Sequence, residues 1–145
     1  MSNNADLMYK YTEKEVESFD KSIDTLGNKL TSVLGFSGVL MKFAADLSNS
    51  YLKTAILIFI AAAIISAFVG LFPRDRGIAI RAYAFEGEKA DWYYSCSPDE
   101  FQLKIIRQWI IHIEKLEELL DFRALWLKVS QGSLCLALLL FAFLE

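Results

Sequence analysis

The sequence predicts an all-α membrane protein with three transmembrane helices. Two of these extend into a cytoplasmic helical bundle, and a small insert is read as a β-hairpin. Three observations carry that reading. Thr54 to Phe72, TAILIFIAAAIISAFVGLF, runs 19 residues without a charge, and at 1.5 Å per residue it makes about 28 Å of helix, close to the ~30 Å hydrocarbon thickness of a bilayer. Val129 to Leu144, VSQGSLCLALLLFAFL, is a second uncharged run. Between Val16 and Leu40 the apolar residues recur at alternating steps of three and four, the seam of a helix packed in a bundle or coiled coil. The 145-residue chain is 54% hydrophobic and 23% charged, which leaves too little structure to surround the first run as a soluble core helix. Its net charge of −3 argues against an electrostatic binder of duplex nucleic acid, and two cysteines cannot form a disulfide scaffold.

Residues 1–29 read as a cytoplasmic N-terminal helix. Thr12 followed by Glu15 has the pattern of a capping box that starts it. The seam then runs through Val16, Phe19, Ile23, Leu26, Leu30, Val33, Ser37 and Leu40. Gly27 and Asn28 lower helix propensity and mark a place for a bend. No basic segment followed by an apolar core appears here, so no cleaved signal peptide is expected.

Residues 30–72 read as a transmembrane hairpin. Its first arm, Leu30–Ala45, is short and contains Lys42; the competing reading is an interfacial or soluble helix. Asp46 lies four residues beyond Lys42 on the same helical face, so the two either pair at the outer boundary or line a polar path. In the second arm Ala62, Ser66 and Gly70 recur every four residues and make a narrow face for close helix approach, and Gly35 and Gly38 thin the first arm similarly. These five are the expected oligomerisation residues.

Residues 73–123 read as a cytoplasmic insert and a long helix. Pro73 to Gly77 end the preceding helix. The alternation from Ile78 to Tyr83 and the Glu86-Gly87-Glu88 turn give the hairpin, which must pack on the helices to be stable. Arg74, Arg76 and Arg81 suit an anionic nucleotide or phospholipid headgroup, and Tyr83, Trp92, Tyr93 and Tyr94 suit stacking on a base. The simpler reading is that the arginines obey the topology rule and the aromatics cover a small fold at the interface. Ser97-Pro98-Asp99-Glu100 then starts a helix with a cap, a proline at the first position and an acid three residues on. Its apolar stripe is expected at Phe101, Ile105, Trp109, Ile113, Leu116 and Leu120.

Residues 124–145 read as the C-terminal transmembrane helix, with Lys128 snorkelling and Trp126 at headgroup level. The arginines after Phe72 place residues 73–123 in the cytoplasm, together with the N-terminus if Leu30–Ala45 spans. The chain is thus expected to be multi-pass in the cell inner membrane, with the lipid bilayer and further copies of itself as partners.

Catalytic chemistry is not indicated. His112 is the sole histidine and is expected on the bundle surface or in a local hydrogen bond; no metal or cofactor site is expected. Phosphate-binding glycine loops, nucleophile elbows and triad spacings are absent from the sequence, so an enzyme is not expected.

The stretch Ile23–Leu40, IDTLGNKLTSVLGFSGVL, holds Asp24 and Lys29 ahead of Leu34, Gly35, Phe36, Ser37 and Gly38. With GLFPR at Gly70–Arg74 and Lys128 ahead of the last span, it resembles the membrane-spanning effectors of bacterial cyclic-nucleotide antiphage defence (the Pycsar type) and related small transmembrane immunity effectors. The resemblance covers most of the chain in layout. It implies a cyclic nucleotide or oligonucleotide signal contacting the insert, self-association of the spans, and perturbation of the inner membrane. The alternative is a non-catalytic structural or interaction subunit of a larger membrane complex.

Overall fold

The computed structural model describes residues 2–47, 50–73 and 96–143, and the elements in them are three α-helices: α1 (Ser2–Ala45), α2 (Ser50–Leu71) and α3 (Pro98–Ala142). The expected hairpin lies outside the described residues, as do Arg74, Arg76, Arg81, Tyr83, Trp92, Tyr93 and Tyr94. Two helices carry stretches long and apolar enough to cross a membrane: Tyr51–Leu71 in α2, and part of α3.

The chain divides into two compact units. Unit 1 comprises residues 1–22 and 74–119; unit 2 comprises residues 23–73 and 120–145. Helices α1 and α3 each contribute to both, and α2 belongs to unit 2 alone.

In unit 1, α1 begins ten residues earlier than the Thr12 cap predicts. Thr12 is buried within the helix, and its hydroxyl donates to the Met8 carbonyl at 2.8 Å. A threonine can serve either as a cap or as an internal back-bonding residue; here helix continues upstream, with Lys10–Asp6 paired at 3.0 Å one turn apart. The start of α3 follows its sequence signal. Glu100 N–H donates to Ser97 Oγ at 3.3 Å and Ser97 N–H donates to Glu100 Oε2 at 3.2 Å, a reciprocal capping box. Tyr9 of α1 packs on Trp109 of α3 with ring centroids 4.8 Å apart.

The expected stripe on α3 needs correction. Ile105 and Leu116 are buried, but His112 and Leu119 take the seam positions assigned to Ile113 and Leu120, both only half-buried. His112 was expected at the surface or in a local hydrogen bond. It is 8% exposed, and its Nδ1 has no hydrogen-bond partner. The reason is register: from Ile105 the stripe steps by four and three through half-buried Trp109 to His112, Leu116 and Leu119, so the seam passes over a polar residue.

In unit 2 the α1 seam continues as expected, with Ile23, Leu30, Val33, Ser37, Leu40 and Ala44 buried and Leu26 half-buried. Leu30, Val33, Leu40 and Ala44 share one core cluster with Ile56, Ile60, Ala63 and Ala67 of α2 and Leu127, Leu134 and Ala137 of α3. The α1–α2 turn is fastened by Lys53, whose ammonium donates to the Ala45 carbonyl at 2.6 Å and so satisfies one of the carbonyls the helix end leaves open.

Candidate functional site

The α1–α3 seam of unit 2 holds the polar groups that set this unit apart from a plain apolar bundle. Arg123 of α3 is 8% exposed, and its guanidinium donates from Nη1 to the Ile23 carbonyl of α1 at 2.9 Å. That carbonyl already belongs to the α1 helical ladder, so the arginine shares it. Room for the sharing comes from Gly27, one turn on. A Cβ at Gly27 would stand 3.1 Å from Arg123 Nη1. Because a side chain at position i lies beside the carbonyl of i−4, glycine here uncovers the Ile23 oxygen. Helix α1 is continuous through Gly27, and the missing side chain admits the guanidinium.

Gly70 does the same for α2. A Cβ there would lie 2.9 Å from Leu30 Cδ1 and 2.9 Å from Trp126 Cβ, so the glycine lets α2 approach both neighbours. Gly70 sits near the end of α2 but beside Leu30, midway along α1, so α2 runs back along α1. Helices α1 and α3 run in the same direction, as the facing pairs Ile23/Arg123 and Phe36/Leu138 show.

Hydroxyls inside unit 2 mostly satisfy themselves on their own helix. Ser66 donates to the Ala62 carbonyl at 2.7 Å, Ser130 to Leu127 at 3.0 Å and Ser133 to Val129 at 3.0 Å. Ser37 is the exception: it is fully buried and its Oγ has no hydrogen-bond partner.

The seam mixes aliphatic residues with small and polar ones, and further bulky apolar groups point outward. Phe36, Val39, Met41 and Phe43 of α1, Ile58, Ile65 and Phe68 of α2, and Leu125, Leu136 and Leu139 of α3 are all exposed. Only 33% of the apolar stretch of α2 and 22% of that in α3 are buried. A soluble protein hides most of such helices; this unit displays large aliphatic and aromatic groups on all three.

The expected site residues are distributed as follows. Ser66 and Gly70 face inward and Ala62 is half-buried, so this face packs within the chain. Gly35 and Gly38 are exposed, and a Cβ at either would meet nothing within 4 Å. Lys42 and Asp46 are both exposed and form no ion pair with each other. Cys96 and Cys135 are free thiols. Among the described residues no group of three metal-ligating side chains forms. Arg123 went unnoticed in the sequence, although it continues the three-four steps from Leu116 and Leu119 to Leu127 and Ser130.

Outside the seam, Glu17 is fully exposed and accepts from Lys21 Nζ at 2.7 Å, which holds its carboxyl below the usual glutamate range. No protein-family model, curated protein or solved structure matches the chain.

Proposed function

We propose that unit 2 is embedded in the bacterial inner membrane through three spans and that the protein is a small oligomeric membrane effector. On this reading the N-terminus and residues 73–123 are cytoplasmic. A signal received there, a cyclic nucleotide or oligonucleotide in antiphage defence, reaches the spans through α1 and α3 and changes their assembly so that the membrane is perturbed.

One observation carries the membrane part: the outward display of Phe, Leu, Ile and Met from all three helices of unit 2, around a seam that is itself aliphatic with small and hydroxyl residues among it. That distribution costs free energy in water and none in hydrocarbon, where close packing at small residues holds helices together. It includes α1, whose Phe36, Val39, Met41 and Phe43 supply the outward face of a third span despite Lys42, which lies near the helix end and snorkels. The exposed Gly35 and Gly38 offer a thin face for a second copy. The effector part rests on the continuity of α1 and α3 through both units and on the resemblance in layout.

The test is expression at a controlled level in bacterial cells, with carbonate washing of the membranes and a voltage-sensitive dye. The chain is expected to stay in the washed membrane, and one cyclic mono- or oligonucleotide is expected to trigger depolarisation. Retention in the membrane with no permeability change for any signal, together with a stable copurifying partner, would replace the effector by a structural subunit.

A further inference from the structure

A groove of about 480 Å³ opens between α1 and α3 in unit 2. Helix α1 supplies Lys29, Ser32, Val33 and Phe36; helix α3 supplies Gln131, Leu134, Cys135 and Leu138. Each set follows the same i, i+3, i+4, i+7 spacing, so the groove runs along both helices for two turns, about 10 Å. Its chemistry is graded. Lys29, Ser32 and Gln131 stand at the end where both helices enter it, and Phe36 and Leu138 stand at the other, with Val33 and Leu134 between.

The polar end is open to a ligand. Lys29 makes no ion pair and the Gln131 amide makes no hydrogen bond among the described residues, while Ser32 donates to Asn28 O at 2.9 Å and keeps its acceptor capacity. A cation and an amide above an apolar trough match one kind of molecule: an anion with a hydrocarbon tail lying parallel to the helices. Lys29 immediately precedes the apolar stretch Leu30–Ala45, which sets the cation at headgroup level if unit 2 is embedded as proposed above.

We propose that the α1–α3 groove binds an anionic membrane phospholipid, its phosphate held by Lys29 and Gln131 and one acyl chain lying against Val33, Phe36, Leu134 and Leu138. The occupant is a bilayer lipid because the apolar two-thirds of the groove would leave a free phosphate without contacts.

The full chain, reconstituted in nanodiscs of phosphatidylcholine with a minor fraction of phosphatidylglycerol, is released into a mass spectrometer under native conditions and its retained lipid counted. Phosphatidylglycerol is expected to be enriched about fivefold over its share of the bilayer, the effect of one basic residue beside an anionic headgroup. Lys29→Gln, at an exposed position, returns the ratio to that of the bilayer. Cys135→Trp, which fills the trough, lowers retention of both lipids. Retention at the bilayer ratio in the wild type, or unchanged enrichment in Lys29→Gln, overturns the proposal. So does a lipid-free dimer, which would put a second copy in the groove, or displacement of the lipid by inorganic phosphate alone. A chain that washes from membranes with carbonate removes the bilayer reading itself and the site with it; any of the other failures leaves that reading standing.

Discussion

Replacing Gly70 with alanine sets two effects of known size against each other. Alanine is favoured over glycine by about 1 kcal/mol in a helix interior, and by less at Gly70, the last residue but one of α2. The new Cβ, however, would lie 2.9 Å from Leu30 Cδ1 and 2.9 Å from Trp126 Cβ, about 0.5 Å inside the 3.4 Å at which ordinary contact begins. Leu30 can swing its methyl away. Trp126 Cβ cannot, because it is bonded directly to the backbone, so α2 and α3 must separate along a seam that includes Ile60, Ala63 and Ala67. Overpacking of this kind costs about 1–3 kcal/mol, so the net result is a loss of about 0–3 kcal/mol. Gly38→Ala is the internal control. Nothing lies within 4 Å of its Cβ position, so it keeps the propensity gain of up to about 1 kcal/mol. The two variants are compared by thermal unfolding in one detergent, followed by far-UV circular dichroism. Gly70→Ala matching or exceeding Gly38→Ala in stability would refute the claim that Gly70 is where α2 closes on its neighbours.

The buried arginine gives a second expectation. Arg123→Ala should destabilise by about 1.5–3 kcal/mol, the range for a charge-assisted hydrogen bond, and the cost of Gly27→Ala, measured in a double-mutant cycle, should vanish in that background because only the guanidinium stands over Gly27. Ser37→Ala removes a buried hydroxyl with no partner. It should be neutral or stabilising by up to about 1 kcal/mol in denaturant titration. For Glu17 the folded-state pKa lies below 4.5, so the Lys21 contact contributes above the unfolded value and is lost as pH falls through the folded one. Carboxyl NMR titration should show that pKa rise in Lys21→Ala, and rise less far from its wild-type value when measured in high salt, since the pair is solvent-exposed.

Helices were legible in the sequence wherever one physical signal dominated. The uncharged run 54–72 and the Ser97–Glu100 cap each announce an element by hydropathy or by local hydrogen bonding alone, and α2 and α3 begin and end near those marks. The α1 seam was legible too, because its three-four rhythm from Val16 to Leu40 is broken only by Ser37. Where two local signals competed, the sequence misled. Thr12 and Glu15 fit a cap, but the ion pair Lys10–Asp6 and the Thr12–Met8 bond belong to a helix that had already begun.

The polar members of the seam were decided by tertiary structure. His112 and Arg123 are polar residues that composition assigns to solvent; both fall on the buried stripe of α3, and Arg123 fits there because Gly27 leaves a hole in the opposite helix. The small-residue face at Gly70 is likewise ambiguous in one dimension, since a thin face serves a neighbour in the same chain as well as one in another. Only the distances to Leu30 and Trp126 show that the chain fills it itself. Hydrophobicity and capping are properties of a short segment and can be read from it; register and close approach depend on two segments far apart in the chain, and exist only once both are in place.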